Sequence, residues 1–192
     1  SIALDLAHEL EHATRRPAWD PYQLNLSPDR YIRDALEGKG GELDAIQIEC
    51  QVELEWSQLQ SEALSRCTRY EAAGRIARDK IREDLYRVGR RHSEVTARVS
   101  KKNLPFLSNR EPTLLSSTGQ APYPVALLAE FDELTRVACE NSKKRLDALQ
   151  RSPASAGTIR LPQGSGGRKI RGIDPMTDAR RATEVFLAER CS

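Results

Sequence analysis

Glycine and proline are bunched in this chain, and the bunching decides what it can fold into. Pro17 and Pro21 flank Trp19, and Gly38, Gly40 and Gly41 stand almost together. Pro105, Pro112 and Pro122 punctuate one later stretch, and residues 151–173 form another run rich in glycine, serine and proline. Between these breaks lie long segments with neither residue, as from Glu42 to Tyr70. Segments of that kind with apolar residues every three or four positions form helices packed on one face.

The spacing predicts a helix over residues 2–16, with Ile2, Leu6, Leu10 and Ala13 as its apolar face. The segment Arg16-Pro17-Ala18-Trp19-Asp20-Pro21 ends it, because proline disfavours helical geometry in the residue before it. A short helix follows over 29–37, capped by Ser27 or Asp29, and Gly38-Lys39-Gly40-Gly41 reads as a flexible break. A helix of seven to eight turns is expected over 42–70, with Ala45, Val52, Trp56, Leu59, Ala63, Cys67 and Tyr70 along one stripe. Glu49 falls inside that stripe. A carboxylate facing a core is costly unless it is paired, protonated or bound to metal. Residues 75–99 read as a basic helix that Gly89 interrupts, 103–122 as an ordered loop, and 124–150 as a further helix. Ile159-Arg160-Leu161 and Lys169-Ile170-Arg171 are the places for short strands. Asp174-Pro175 starts a last helix running to about Arg190.

The expected fold class is therefore mainly α with at most a small β element. The expected organisation is a main domain over 1–150, a flexible linker over 151–173 and a C-terminal helix over 174–192 packing on the same domain. At 192 residues, 39% hydrophobic and 30% charged, the chain has the bulk for a real core and the composition of a soluble protein. No stretch approaches the roughly 20 apolar residues of a membrane span, and no secretory signal peptide is visible. The chain begins at Ser1 rather than Met, as a processed product or a fragment would.

The net charge of +2 hides an asymmetry. Residues 1–60 carry five basic and twelve acidic side chains, and residues 61–110 carry thirteen basic and six acidic. A basic stretch over 75–102 can attract nucleic acid or an acidic protein surface, or face the acidic first third. Cys50, Cys67, Cys139 and Cys191 show no CxxC spacing. On one continuous helix Cys50 and Cys67 would stand about 25 Å apart and could not bridge, so the sequence reads as neither a disulfide scaffold nor a cysteine zinc site.

The most specific chemical proposal is His8-Glu9-Leu10-Glu11-His12, an HExxH pattern that uses two of only three histidines. On a helix, His8 and His12 project from one face a turn apart and can hold one zinc ion, while Glu9 beside them can take a proton from water. Zinc needs a third protein ligand if one position is to stay open for water. The longer HExxHxxGxxH pattern fails, with Arg15 at its glycine and Ala18 at its last histidine; His92 is the one remaining histidine. Glu42, Glu49 and Glu53 lie near one helical face. Glu49 is the favoured third ligand, with Glu53 and Glu42 as alternatives or supporting groups. Candidate oxyanion donors are Tyr22, Tyr31, His92 and Tyr123, and candidate histidine-orienting carboxylates are Asp5, Asp20 and Asp44.

The segments Ala7-His8-Glu9-Leu10-Glu11-His12-Ala13 and Gly38-Lys39-Gly40-Gly41-Glu42-Leu43-Asp44-Ala45-Ile46-Gln47-Ile48-Glu49 resemble zincin-type peptidase toxin domains. Such domains occur as effectors of bacterial secretion systems and at the ends of Rhs-type polymorphic toxins. In that group a GxGEAxxNE-like stretch follows the HExxH helix, and Glu49 matches its glutamate, with Ile48 in place of the asparagine. The resemblance covers residues 1–60. It implies a zinc metallopeptidase acting as a secreted bacterial effector or toxin in a target cell, with Glu9 catalytic, His8, His12 and Glu49 on Zn2+, a protein or peptide substrate, and a cognate immunity protein as partner. The family's small sheet precedes the HExxH helix. Here the sheet would belong to an upstream segment or another chain, or this version is almost entirely helical. The competing expectations are a helical interaction or nucleic-acid-binding domain using the basic 75–102 segment, and a zinc ion that is purely structural.

Overall fold

The computed structural model describes residues 2–15, 19–60, 67–117, 120–151 and 175–191, with the side chains of 58–60 excepted. The protein is mainly helical. In chain order come α1 (Ile2–Arg15), α2 (Pro28–Glu37), α3 (Glu42–Gln60), β1 (Glu71–Ala72), β2 (Arg75–Ile76), α4 (Arg78–Leu85), α5 (His92–Thr96), α6 (Tyr123–Arg151) and α7 (Pro175–Arg190). The two strands form one antiparallel hairpin, Glu71 opposite Ile76 and Ala72 opposite Arg75. Among the described residues no helix is long and apolar enough to cross a membrane. The expected linker over 151–173, its two candidate strands and the Asp174 cap lie outside the described residues, apart from Arg151, the last residue of α6.

The chain divides into two compact units, and the division differs from the expected boundary near residue 150. The first comprises residues 1–20 and 25–132, the second residues 21–24 and 133–192. The second unit joins the C-terminal part of α6 to α7. Ala138, Cys139 and Phe186 are buried together with Cys191 against them, Cys139 and Cys191 are disulfide-bonded, and the Tyr22 ring stacks on Phe186.

In the first unit α1 packs chiefly on α3. The face that α1 turns inward is Leu4, His8, Glu11 and His12, not the predicted apolar stripe. Ile2, Leu6 and Leu10 are 88%, 56% and 51% exposed. Leu4, His8 and His12 follow one another every four residues, so one face carries all three to α3 and the opposite face is left outside. In α2, Ser27 caps the helix by accepting from the Arg30 amide, and Pro28 sits in its first turn where a missing N–H is harmless. Tyr31, Ile32, Ala35 and Leu36 are buried beneath it.

Two long predicted helices are shorter in the structure. α3 ends at Gln60, and Cys67 to Tyr70 make a tight turn that leads into the hairpin. The buried face of α3 is Leu43, Ala45, Ile46, Glu49, Cys50, Glu53 and Leu54, whereas Trp56 of the predicted stripe is half exposed. Cys50 and Cys67 are disulfide-bonded, with Cα atoms 5.4 Å apart. The 25 Å separation assumed one continuous helix carrying both cysteines, and the 5.4 Å spacing excludes it. The basic 75–99 segment likewise splits into α4 and α5. Gly89 has a positive φ of 55°, and its amide bonds the Arg110 carbonyl at 2.9 Å. The proline-bearing loop thus docks where the helix stops.

Candidate metal centre

The third element of the centre is the turn between α2 and α3. It is an ordered structure rather than the flexible break expected. Gly40 has a φ of 66°, which favours glycine, and a Cβ on Gly41 would stand 2.6 Å from the Ala35 carbonyl oxygen. The Gly40 amide is capped by the Asp44 carboxylate at 2.9 Å. This turn brings a backbone carbonyl and the start of α3 beside α1.

There the two histidines meet three acceptors. His12 Nδ1 donates to the Gly40 carbonyl oxygen at 2.8 Å, and His8 Nδ1 donates to Glu49 Oε2 at 3.2 Å. A carbonyl and a carboxylate can only accept, so each Nδ1 carries a proton and each neutral ring keeps its lone pair on Nε2. The two Nε2 atoms lie 3.2 Å apart. Glu42 Oε2 is 3.5 Å from His8 Nε2, and Glu42 Oε1 is 3.5 Å from His12 Nε2.

Three lone-pair donors at that spacing repel one another unless a proton or a cation sits among them. The metal-free protein answers with protons. Hydrogen bonding to Glu42, and then to Glu49, outweighs burial and pushes His8 up to about 9. Burial disfavours the charged Glu42 carboxylate, but the His12 and His8 hydrogen bonds overcome it and hold Glu42 at about 2. His12 is raised by the same carboxylate.

The donor set fits a zinc ion. Zinc bonds of about 2.1 Å in tetrahedral geometry separate neighbouring ligand atoms by about 3.4 Å; the two Nε2 atoms stand 3.2 Å apart, and with one oxygen of Glu42 the three donor atoms lie within 4.8 Å of one another. Two imidazoles and one carboxylate suit zinc chemically, and each imidazole has its other nitrogen held by an acceptor, as metal-bound histidines do. The grouping found is His8, His12 and Glu42. Glu42, rather than Glu49, faces the Nε2 atoms, because it opens α3 beside Gly40. Glu49, two turns along, meets the outer nitrogen of His8. The sequence argument that a buried Glu49 needs a partner holds, and the partner is His8.

The other candidates are dispersed. Glu53 is buried and accepts from the Cys67 amide at 3.3 Å. Asp44 serves Gly40 and pairs with Arg78 at 2.6 Å. Tyr31 is 1% exposed, with its ring against Trp19 and Phe131. Tyr22 belongs to the second unit.

An open cleft of about 1210 Å³ runs past the centre, and its lining includes His8, Glu9, His12, Glu42, Glu49 and Tyr123. Asp5 lines it too, whereas His92 and Asp20 do not. Glu9 is exposed where it lines the cleft. Leu114, Leu115 and Leu127 give the cleft an apolar side. Sequence reasoning missed the Gly40 carbonyl and the Cys67–Tyr70 turn. The first had a signal, three glycines in four residues placed just before a capped helix.

Five arginines of the basic segment are paired with carboxylates. Arg78 pairs with Asp44, Arg82 with Glu37 and Asp79, Arg87 with Asp84, Arg91 with Glu94 and Arg98 with Asp132. Two of those carboxylates, Glu37 and Asp44, come from the acidic first third. No protein-family model matches the chain, and no curated protein or solved structure shows significant similarity to it.

Proposed function

We propose that the protein is a zinc-dependent peptidase whose metal is held by His8, His12 and Glu42. The observation that carries this reading is the convergence of two Nε2 lone pairs and one carboxylate, with both Nδ1 atoms held by acceptors. Zinc, when bound, would polarise a substrate carbonyl and make a water molecule a competent nucleophile near neutral pH. The chain's own residues do the rest. Glu49 and the Gly40 carbonyl fix the two rings. Glu9, the neighbour of His8 in the cleft lining, accepts the proton of the attacking water on its carboxylate and returns it to the leaving amine. Tyr123, also lining the cleft, is the oxyanion donor of this proposal.

Three protein ligands among the described residues leave a fourth position for water, which favours a catalytic over a purely structural ion. The broader role as a bacterial toxin or effector rests on the resemblance of residues 1–60. The two disulfides suit passage through an oxidising compartment.

Elemental analysis tests the centre. One zinc per chain is expected in the wild type and in Glu53→Ala, and none in His8→Ala, His12→Ala or Glu42→Ala. Absence of zinc from protein purified without chelator, with none regained on addition, would sink the reading. Cleavage of unfolded casein that survives Glu9→Gln would remove Glu9 from the mechanism. Toxicity of the expressed chain that Glu9→Gln abolishes would support the effector role.

A further inference from the structure

Among the described residues two guanidinium groups line the cleft, and they are differently placed. Arg91 is committed to Glu94, its Nε and Nη2 donating to the two carboxylate oxygens, and that pair is neutral. Arg69 has only a loose hold on Asp84, its Nη1 standing 3.6 Å from Oδ2. That same oxygen accepts from the Tyr70 hydroxyl at 3.1 Å, and Oδ1 takes Arg87 Nη2 at 2.8 Å. One buried carboxylate thus serves two guanidiniums, and a positive charge is left over on the more exposed of them. The Arg69 side chain is 43% exposed, and its head lies 5.2 Å over the Tyr70 ring.

The backbone beneath Arg69 is fixed to the metal-bearing helix. Cys67 is bonded to Cys50, the residue after Glu49, and its amide donates to Glu53 of the same helix. Tyr70 is 2% exposed, so Arg69 stands between a disulfide-bonded Cys67 two residues before it and a buried Tyr70 after it. A planar guanidinium on an ordered base is a ready receptor for a carboxylate, because both fork hydrogens bind it with little further ordering. Glu42 and Glu49, two of the cleft's carboxylates, are engaged by His8 and His12.

We propose that Arg69 selects the substrate by binding a carboxylate of a peptide, either an acidic side chain or the C-terminal carboxylate. This rests on the peptidase reading for its substrate class. The test uses zinc-loaded Glu9→Gln protein and fluorescence anisotropy with labelled alanine octapeptides. One carries a central aspartate and an amidated end, one a free C-terminus, one is neutral and amidated, and one carries a central lysine and an amidated end. A carboxylate-bearing peptide should bind about tenfold tighter than the neutral one. Whether the aspartate or the free-terminus peptide shows the gain identifies the source of the carboxylate. Arg69→Gln should erase the preference with zinc content unchanged, Arg69→Lys should restore part of it, and Arg69→Glu should turn it toward the lysine peptide. Arg91→Gln should keep it. Equal binding of neutral and acidic peptides, or a preference that survives Arg69→Gln, would overturn the proposal. Zinc measured on the same samples separates the two failures. Metal without selectivity removes Arg69's role alone, and selectivity without metal removes the peptidase reading alone.

Discussion

The proposed metal centre and the arginine-rich stretch from Arg78 to Arg98 are both dense in ionisable groups, and they are built on opposite plans. In the stretch, five arginines are answered at close range, as Arg78 is by Asp44 and Arg98 by Asp132, so those groups cancel in pairs. At the centre, His8, His12 and Glu42 turn their lone pairs toward one another, and the outer nitrogens have acceptors of their own. The difference teaches where to look for chemistry. A cluster that cancels itself is an architectural feature of the surface. A cluster whose members conflict is where we propose that something outside the chain binds.

The largest effects should follow from disturbing the conflicting cluster. His12→Ala should lose zinc outright and hydrolysis with it, whereas substituting Arg82, Arg87, Arg90 and Arg91 together by alanine should leave the zinc content at one per chain. Elemental analysis of both proteins makes the comparison, and zinc lost in the arginine variant would break it. Glu9→Gln should keep the metal and lower turnover by about 10²- to 10⁴-fold, the usual share of a general base. Within the cluster, Glu42→Gln should act like a ligand loss. Glu49→Gln should weaken zinc affinity by about 10- to 100-fold, as removal of a histidine-orienting partner does. Competition with a chromogenic chelator ranks the two. The reverse order would return Glu49 to the ligand position and move Glu42 outside it.

Next in size is the bridge that ties the centre to the rest of its unit. Cys50 and Cys67 are 17 residues apart, and in the chain-entropy description closing a loop of that size stabilises the fold by about 3 kcal/mol. Cys67→Ser should lower the stability of the first unit by that order in urea denaturation, with loss of the Arg69-dependent peptide preference. Unchanged stability would show that Glu53 and the packing of Tyr70 hold the turn without the bond.

The sequence made the frame legible where local rules act alone. The α2 start at Ser27-Pro28, the long α6 and the last helix follow from caps, prolines and spacing. The HExxH pair was legible because four residues put two histidines on one helix face wherever that helix packs. Burial was not legible in α1. Periodicity marks Ile2, Leu6 and Leu10 as a face, but which face turns inward depends on the partner helix, and α3 takes Leu4, His8 and His12. The proposed third ligand was also a tertiary matter. Glu42 and Glu49 are equivalent on a wheel, and the Gly40 turn alone decides that the start of α3, not its middle, reaches the Nε2 atoms. The Cys50–Cys67 bridge was hidden for a related reason. Absence of glycine and proline permits one helix to run through Cys67 but does not require it.

The smallest expected effect lies in the cancelling region and sharpens the comparison from its other side. Arg98 donates both Nη groups to Asp132, at 2.8 and 2.6 Å, and holds that carboxyl below its usual range. A folded-state value below the unfolded one means that the pair contributes stability above the ordinary aspartate range and loses it as pH falls through the lowered value. Both side chains are nearly half exposed, so solvent screens the pair and Arg98→Ala should cost under about 1 kcal/mol near neutral pH. The cost should shrink in high salt and vanish in acid. NMR titration of Asp132 should show its midpoint returning to the ordinary aspartate range in the variant, with the zinc content untouched. A large loss of stability, or any change in metal binding, would mean that the two regions are coupled and that their opposite plans are parts of one network.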